Sequence, residues 1–212
     1  MNDMKKIGLG ILLLWVACCH VALGKGTAST EATAMPKVLV IAPMDNVNSD
    51  YYVTDMLTED TGINKDSVSY VYNNVIANVM QQVAAKENMI VLNGCNNSMS
   101  SLLKNVEMSG KGEDAMVDLS KVDKSELQQE MQRLGASYLL VLDQHFLKYQ
   151  EVPFRTMFHF VNYSIYDANE KKLGDGKSYF TSFEPQSAKD MSKSSLKSTK
   201  KMIAEISKLI ER

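Results

Sequence analysis

The chain has 212 residues, 45% of them hydrophobic and 23% charged, with only four prolines. That composition excludes a mostly disordered, collagen-like or disulfide-scaffold protein. Its 23 Lys and Arg against 25 Asp and Glu leave a net charge of -2, so there is no global field to attract nucleic acid or an anionic membrane surface, and no nucleic-acid partner is expected.

The first residues read as an export signal. Lys5 and Lys6 precede an apolar run from Ile7 to Trp15, the charged start and short apolar core of a secretory leader. Three endings are open. Trp15-Val16-Ala17-Cys18 resembles a bacterial lipobox, which would make Cys18 the acylated amino terminus of a lipoprotein, although Trp15 stands where an aliphatic residue is usual. Ala22-Leu23-Gly24 offers small residues for ordinary cleavage, making 1–24 the leader. Retention of residues 7–24 as an anchor is the third: the run is at the short limit of the roughly 20 residues that span a bilayer and contains His20. Residues 25–36, KGTASTEATAMP, have almost nothing to bury and are expected to form a flexible tether. A tether suits an anchored domain, so lipidation at Cys18 and residence in the periplasm or at the outer membrane are the favoured reading. Without residues 1–24 the net charge is -3.

A single folded domain is expected over 37–212. Lys37 to Ala42 is a continuous apolar run stopped by Pro43, the pattern of a strand buried on both faces. Residues 44–66 are polar and acidic and read as a long loop. They lack the alternating oxygen ligands of a calcium loop. Asp66 or Ser67 can cap a helix whose apolar positions Val68, Tyr72, Val75, Ile76, Val79 and Val83 recur at three- and four-residue steps. Met89 to Leu92 is a second short strand, completing a crossover unit expected to be right-handed. Residues 94–122 read as a long insertion with one short helix near 99–106. Asp123 and Glu126 have the spacing of a capping box ahead of a helix that Gly135 closes. Three strands in an antiparallel meander follow, through Tyr149, from Phe154 to Tyr166, and from Leu173 to Phe183, and a helix over 187–211 ends the chain. The fold class is therefore α/β to α+β: a mixed sheet of about five strands, a β-α-β start, the meander and a closing helix.

Chemistry-bearing motifs are scarce. There is no Gly-x-Ser-x-Gly, His-Glu-x-x-His, Cys-x-x-Cys or dinucleotide fingerprint, so no catalytic residue and no cofactor are implied. Ser-x-x-Lys at Ser101/Lys104, Ser194/Lys197 and Ser198/Lys201 lacks its companion elements and reads as chance. Cys95, the one cysteine beyond the leader, reads as an incidental thiol at a strand end. Lys189, Lys193, Lys197, Lys200 and Lys201 form a stripe on the last helix, read as a solvated face. His145 and His159 fall on neighbouring hairpin strands. An odd-numbered hairpin loop puts them on one face, where Asp143 is expected beside His145, while Glu151 lies at the turn; two strand histidines more often pack than bind metal.

The order of a buried strand ending in Pro43, a helix, a strand at Ile90–Leu92, a helix leading into Leu134-Gly135-Ala136-Ser137-Tyr138-Leu139-Leu140-Val141, a hairpin and a last helix resembles a superfamily of bacterial envelope proteins. It includes the amino-terminal domain of TolB and the lipoproteins CsgG and LpoB. The long segments 44–66 and 94–122 depart from its compact pattern. Members of that superfamily bind or assemble with other envelope proteins, so the resemblance implies a non-enzymatic role and supplies no partner-contact residues; the leading reading is an envelope-tethered domain that binds another envelope protein, with the 44–66 loop or the exposed hairpin as contact surface. A periplasmic enzyme or a ligand- or metal-binding protein with a site near His145 and His159 is the alternative, and self-assembly through an open sheet edge is a third.

Overall fold

A computed structural model describes residues 34–49, 53–104, 106–183 and 187–212. The leader, most of the tether and Cys18 lie outside the described residues. The fold is α+β, built on a mixed six-stranded sheet with a second, two-stranded sheet beside it.

Its first strand, β1 (Lys37–Ile41), is buried on both sides. Val38 and Val40 enter one apolar layer and Leu39 and Ile41 the other, which is why the run shows no alternation. β2 (Val47–Ser49) and helix α1 (Val53–Thr61) follow. The 44–66 stretch is thus not a bare loop: β2 pairs with the sheet and Leu57 is fully buried. A polar composition hid a three-residue strand and a helix that buries one large side chain. The long helix α2 (Val68–Ala84) buries Val68, Tyr72, Val75, Ile76, Val79 and Val83 as the periodicity predicts. Ser67 is its N-cap residue, yet its side chain makes no capping bond; Asn64 instead caps the short 3-10 turn ahead of it.

Strand β3 (Ile90–Asn93) pairs parallel with β1. The insertion then holds helix α3 (Asn97–Ser100) and a small hairpin of β4 (Glu107–Ser109) and β5 (Met116–Asp118). Helix α4 (Lys124–Leu134) is capped by Asp123, whose carboxylate accepts from the amides of Ser125 at 2.9 Å and Glu126 at 3.3 Å. It ends at Gly135, whose φ of 65° is a left-handed conformation that glycine adopts without strain. Next come β6 (Tyr138–Gln150), β7 (Thr156–Asp167), β8 (Lys172–Ser182) and helix α5 (Ala188–Ile210).

The strand order is β3-β1-β6-β7-β8, and β2 pairs with β6 beyond the end of β1. The crossovers β1-α2-β3 and β3-α4-β6 move in opposite directions across β1. Right-handed crossovers then require helices on opposite faces. Accordingly, α2 and α5 cover one face with Tyr72, Ile76, Met80, Met202 and Ile206, and α4 with the insertion covers the other through Leu127, Met131, Met99 and Val117.

Where β1 gives way to β2, the neighbouring strand β6 carries an extra residue: Leu142 pairs with Tyr163 and Gln144 with Asn162, leaving Asp143 as a bulge. Asn46 repairs the gap. Its side-chain amide donates to the Leu142 carbonyl at 2.8 Å, its own carbonyl accepts from the His145 amide at 3.0 Å, and it exchanges two bonds with the buried Asn73 of α2. Every β6 side chain beyond the bulge is moved to the opposite face from the one an unbroken strand would give it.

Candidate functional site

The bulge decides the surroundings of the two histidines. Gln150 pairs with Thr156, leaving five residues, 151–155, in the hairpin loop. That odd number places His145 and His159 on one face, diagonally across the β6-β7 ladder. The face is the one under α2 and α5. Asp143 is not beside His145 as an unbroken strand would require: it points the other way, where its carboxylate accepts from the Ser164 hydroxyl at 2.8 Å. Glu151 is exposed at the turn.

His145 is 1% exposed and His159 0%. His145 Nε2 lies 2.9 Å from His159 Nδ1, and His159 Nε2 lies 3.1 Å from the Ser182 hydroxyl. With one proton per ring the economical assignment has each Nε2–H donating along the chain, His145 to His159 and His159 to Ser182. His145 Nδ1 is then an unfilled acceptor, and no partner reaches it. Phe180 stacks on His159 at 4.2 Å, and the Tyr72 ring meets His145 edge-on at 5.1 Å. Burial pushes His145 down to about 3 and holds His159 well below the ordinary histidine range, helped by the neighbouring ring. Both are neutral at physiological pH.

This pair is poorly built for metal. Two tetrahedral zinc ligands at ~2.0–2.1 Å from the ion need their nitrogens about 3.3 Å apart, with a third and fourth ligand converging. Here the nitrogens already face each other across a hydrogen bond. Among the described residues no group of three His, Cys, Asp or Glu could hold an ion. What the arrangement can do is fill the core between β6, β7, α2 and α5 with a hydrogen-bonded polar chain that leaves His145 Nδ1 unfilled.

On the opposite face, Asp143 is fully buried, and its carboxyl is pushed up to about 7 by burial, against the pull of the Ser164 hydroxyl and Val117 amide. Asn162, one strand over, donates to the carbonyls of Glu113 and Ala115 at 2.9 Å each. These two side chains fasten the insertion to the sheet, a role the sequence did not signal. Cys95 is a free, buried thiol, pushed up to about 12 by desolvation, which makes it a poor nucleophile.

Solvent meets other features. The hairpin tip presents Val152 and Phe154, 77% and 72% exposed, and Phe183 just past β8 is 79% exposed. Between β8 and α5 runs a cleft of about 540 Å³ lined by Tyr179, Phe180, Ser194, Lys197, Ser198 and Lys201 among others. The sequence had treated these lysines only as a solvated stripe, because strand and helix are brought together by packing. Among the described residues no helix is long and apolar enough to cross a membrane.

No protein-family profile matches this chain, and no curated protein matches it. Solved structures align with it at low identity and with TM-scores below 0.5. A hypothetical protein, CT253, from Chlamydia trachomatis aligns with a TM-score of 0.45 and 10% identity over 81% of this chain and 96% of its own. Lipoprotein GNA1162 from Neisseria meningitidis gives 0.38 and 9% over 80% and 99%. The PelC dodecamer from Paraburkholderia phytofirmans gives 0.38 and 9% over 79% and 86%. Likeness at this level names neither a family nor an activity.

Proposed function

We infer that this protein is an exported, lipid-anchored and non-catalytic module that docks on another protein of the bacterial cell envelope through the tip of its β6-β7 hairpin. The observation that carries this reading is the exposure of Val152 and Phe154 together with Phe183, which follows Ser182, the partner of Met157 near the same end of the sheet. Large apolar side chains held out in water at one end of a folded domain mark an interaction surface. The groups best suited to chemistry, by contrast, are sealed: His145 and His159 are spent on each other and on Ser182, and the Cys95 thiol is buried. Acylation at Cys18 would hold the domain to a membrane, with residues 25–36 as the leash.

A photo-crosslinker at position 154 in cells should give one dominant adduct with an envelope protein, and Val152→Asp with Phe183→Asp should abolish it. No adduct, or an adduct indifferent to those changes, refutes the docking role. Incorporation of labelled fatty acid, lost in Cys18→Ser, tests the anchor; labelling that persists in that variant overturns it.

A further inference from the structure

The two edges of the main sheet are finished differently. β3 is a four-residue edge and α2 reaches over it: the Gln81 side-chain amide donates to the Val91 carbonyl at 3.2 Å, and Asn93 donates to Asn74 and Asn78 at 3.0 and 2.8 Å. The Gln81 bond occupies a main-chain carbonyl of β3, and the Asn93 bonds tie the end of this short edge to the helix beside it. β8, at the other edge, is eleven residues long and, among the described residues, has no strand on its outer side.

Beside that open edge lies the 540 Å³ cleft, with β8 from Lys177 to Thr181 on one side and α5 on the other. Side chains on β8 alternate. Phe180 faces the helices, stacked on His159. Tyr179 faces the opposite side, half exposed, with Phe160 at 5.4 Å and Phe158 at 6.3 Å from its ring. The α5 wall presents Lys197 and Lys201, neither of which is in an ion pair among the described residues, with Ser198 between them and Ser194 one turn earlier. Glu205 is the one carboxylate among the described lining residues, and it accepts from the Tyr163 hydroxyl at 3.0 Å. Lys177 is occupied by Asp114.

The geometry points to a docking site for an extended, acidic segment of a partner protein, added to the sheet as a strand along Ser178–Ser182. A strand laid there would send alternate side chains to two different surfaces. Those on the α5 side meet two unpaired lysines, which selects carboxylates; those on the other side meet Tyr179 and the phenylalanines behind it, which selects apolar or aromatic groups. The recognised pattern is therefore acidic and apolar residues in strict alternation. An open main-chain edge favours a peptide over a polyanionic glycan, which has no ladder to offer. A second copy paired edge to edge would bring the lysines of both copies to one seam. This inference goes beyond the hairpin-tip docking reading by adding a second surface, and rests on that reading only for where the partner resides.

The test uses the purified full-length protein and three fluorescent ten-residue peptides: one alternating Glu with Val, one alternating Lys with Val, and the Glu-Val peptide N-methylated at every second amide. The expected result is binding of the Glu-Val peptide alone, slowed amide exchange at 178–182 on binding, and an affinity lowered about tenfold or more in Lys197→Glu/Lys201→Glu. Equal binding of the Lys-Val or methylated peptide overturns the proposal. So does competition by a polyanionic glycan at equal charge, or protection of 178–182 by self-association without peptide. If the lysine variant binds the Glu-Val peptide as tightly as the wild type while the envelope partner is still crosslinked at full yield, the strand site fails and the docking reading stands. If the peptide binds as expected but no envelope partner is ever crosslinked, the docking reading fails and the strand site stands.

Discussion

Lowering the pH from 7 to 5 should weaken the fold by about 2 kcal/mol, and Asp143→Asn should roughly double that loss. The histidines set the sign. His145 and His159 are neutral in the fold, with His145 at about 3 and His159 depressed, whereas unfolded they take a proton near pH 6.5. The unfolded chain therefore binds more protons in this window, and the stability their neutrality preserves above pH 6.5 is lost as the pH falls. Each costs about 2 kcal/mol between pH 7 and 5, about 4 together. A first proton would go to His145 Nδ1, where nothing accepts it; a second would set N–H against N–H across the 2.9 Å contact. Asp143 works in the opposite direction. Its carboxyl, pushed up to about 7, takes a proton in the fold over the range in which an unfolded Asp stays ionised. It returns about 2 kcal/mol on acidification. The exposed carboxylates Asp118, Glu130 and Asp190 are held low by hydrogen bonds to Ser120, Arg133 and Ser187, so they titrate below the window. Urea unfolding at pH 7, 6 and 5 of the wild type and Asp143→Asn measures both slopes. Parallel profiles, or a wild type that gains stability at pH 5, would refute the assignment of neutral histidines and a raised Asp143.

Three further outcomes follow from single contacts. Asn73→Ala removes one side of a buried amide pair and leaves Asn46 Oδ1 without its 2.6 Å donor; a loss of about 2–3 kcal/mol in urea unfolding is expected, and a change below 1 would mean water replaces the amide. Gly94→Ala puts a Cβ 2.9 Å from the Val40 carbonyl and the Leu39 methyl, where backbone cannot yield, so a lowered thermal midpoint is expected and an unchanged one would contradict the packing. Cys95, buried and shifted to about 12, should resist iodoacetamide at pH 8 in the native protein and react in urea; rapid native labelling would show that the β3 end opens.

The elements that sequence alone determined are those with one dominant physical signal. The unbroken apolar run of β1, the three- and four-residue spacing in α2, the Asp123 cap and the Gly135 stop of α4, and the turn residues of the meander each specify a local conformation whatever they pack against, and together they carry the α+β arrangement. Polar segments lack such a signal. β2 exists because β6 continues past β1 and offers it a partner, and the β4-β5 hairpin is fastened by Asn162 and Asp143 from strands far along the chain. The largest effect is a single bulge. Periodicity in β6 would set Asp143 beside His145, an arrangement resembling a ligand cluster, but Asn46 and Asn73 stabilise an extra residue at Asp143 and separate the two onto opposite faces. A strand's side-chain period is two, so one inserted residue inverts everything after it. That insertion is held by side chains from other elements, 46 and 73, and only the tertiary structure could reveal it. By the same logic the sequence showed the lysines of α5 and the aromatics of β8, while the cleft between them arises only when α5 folds back over the sheet.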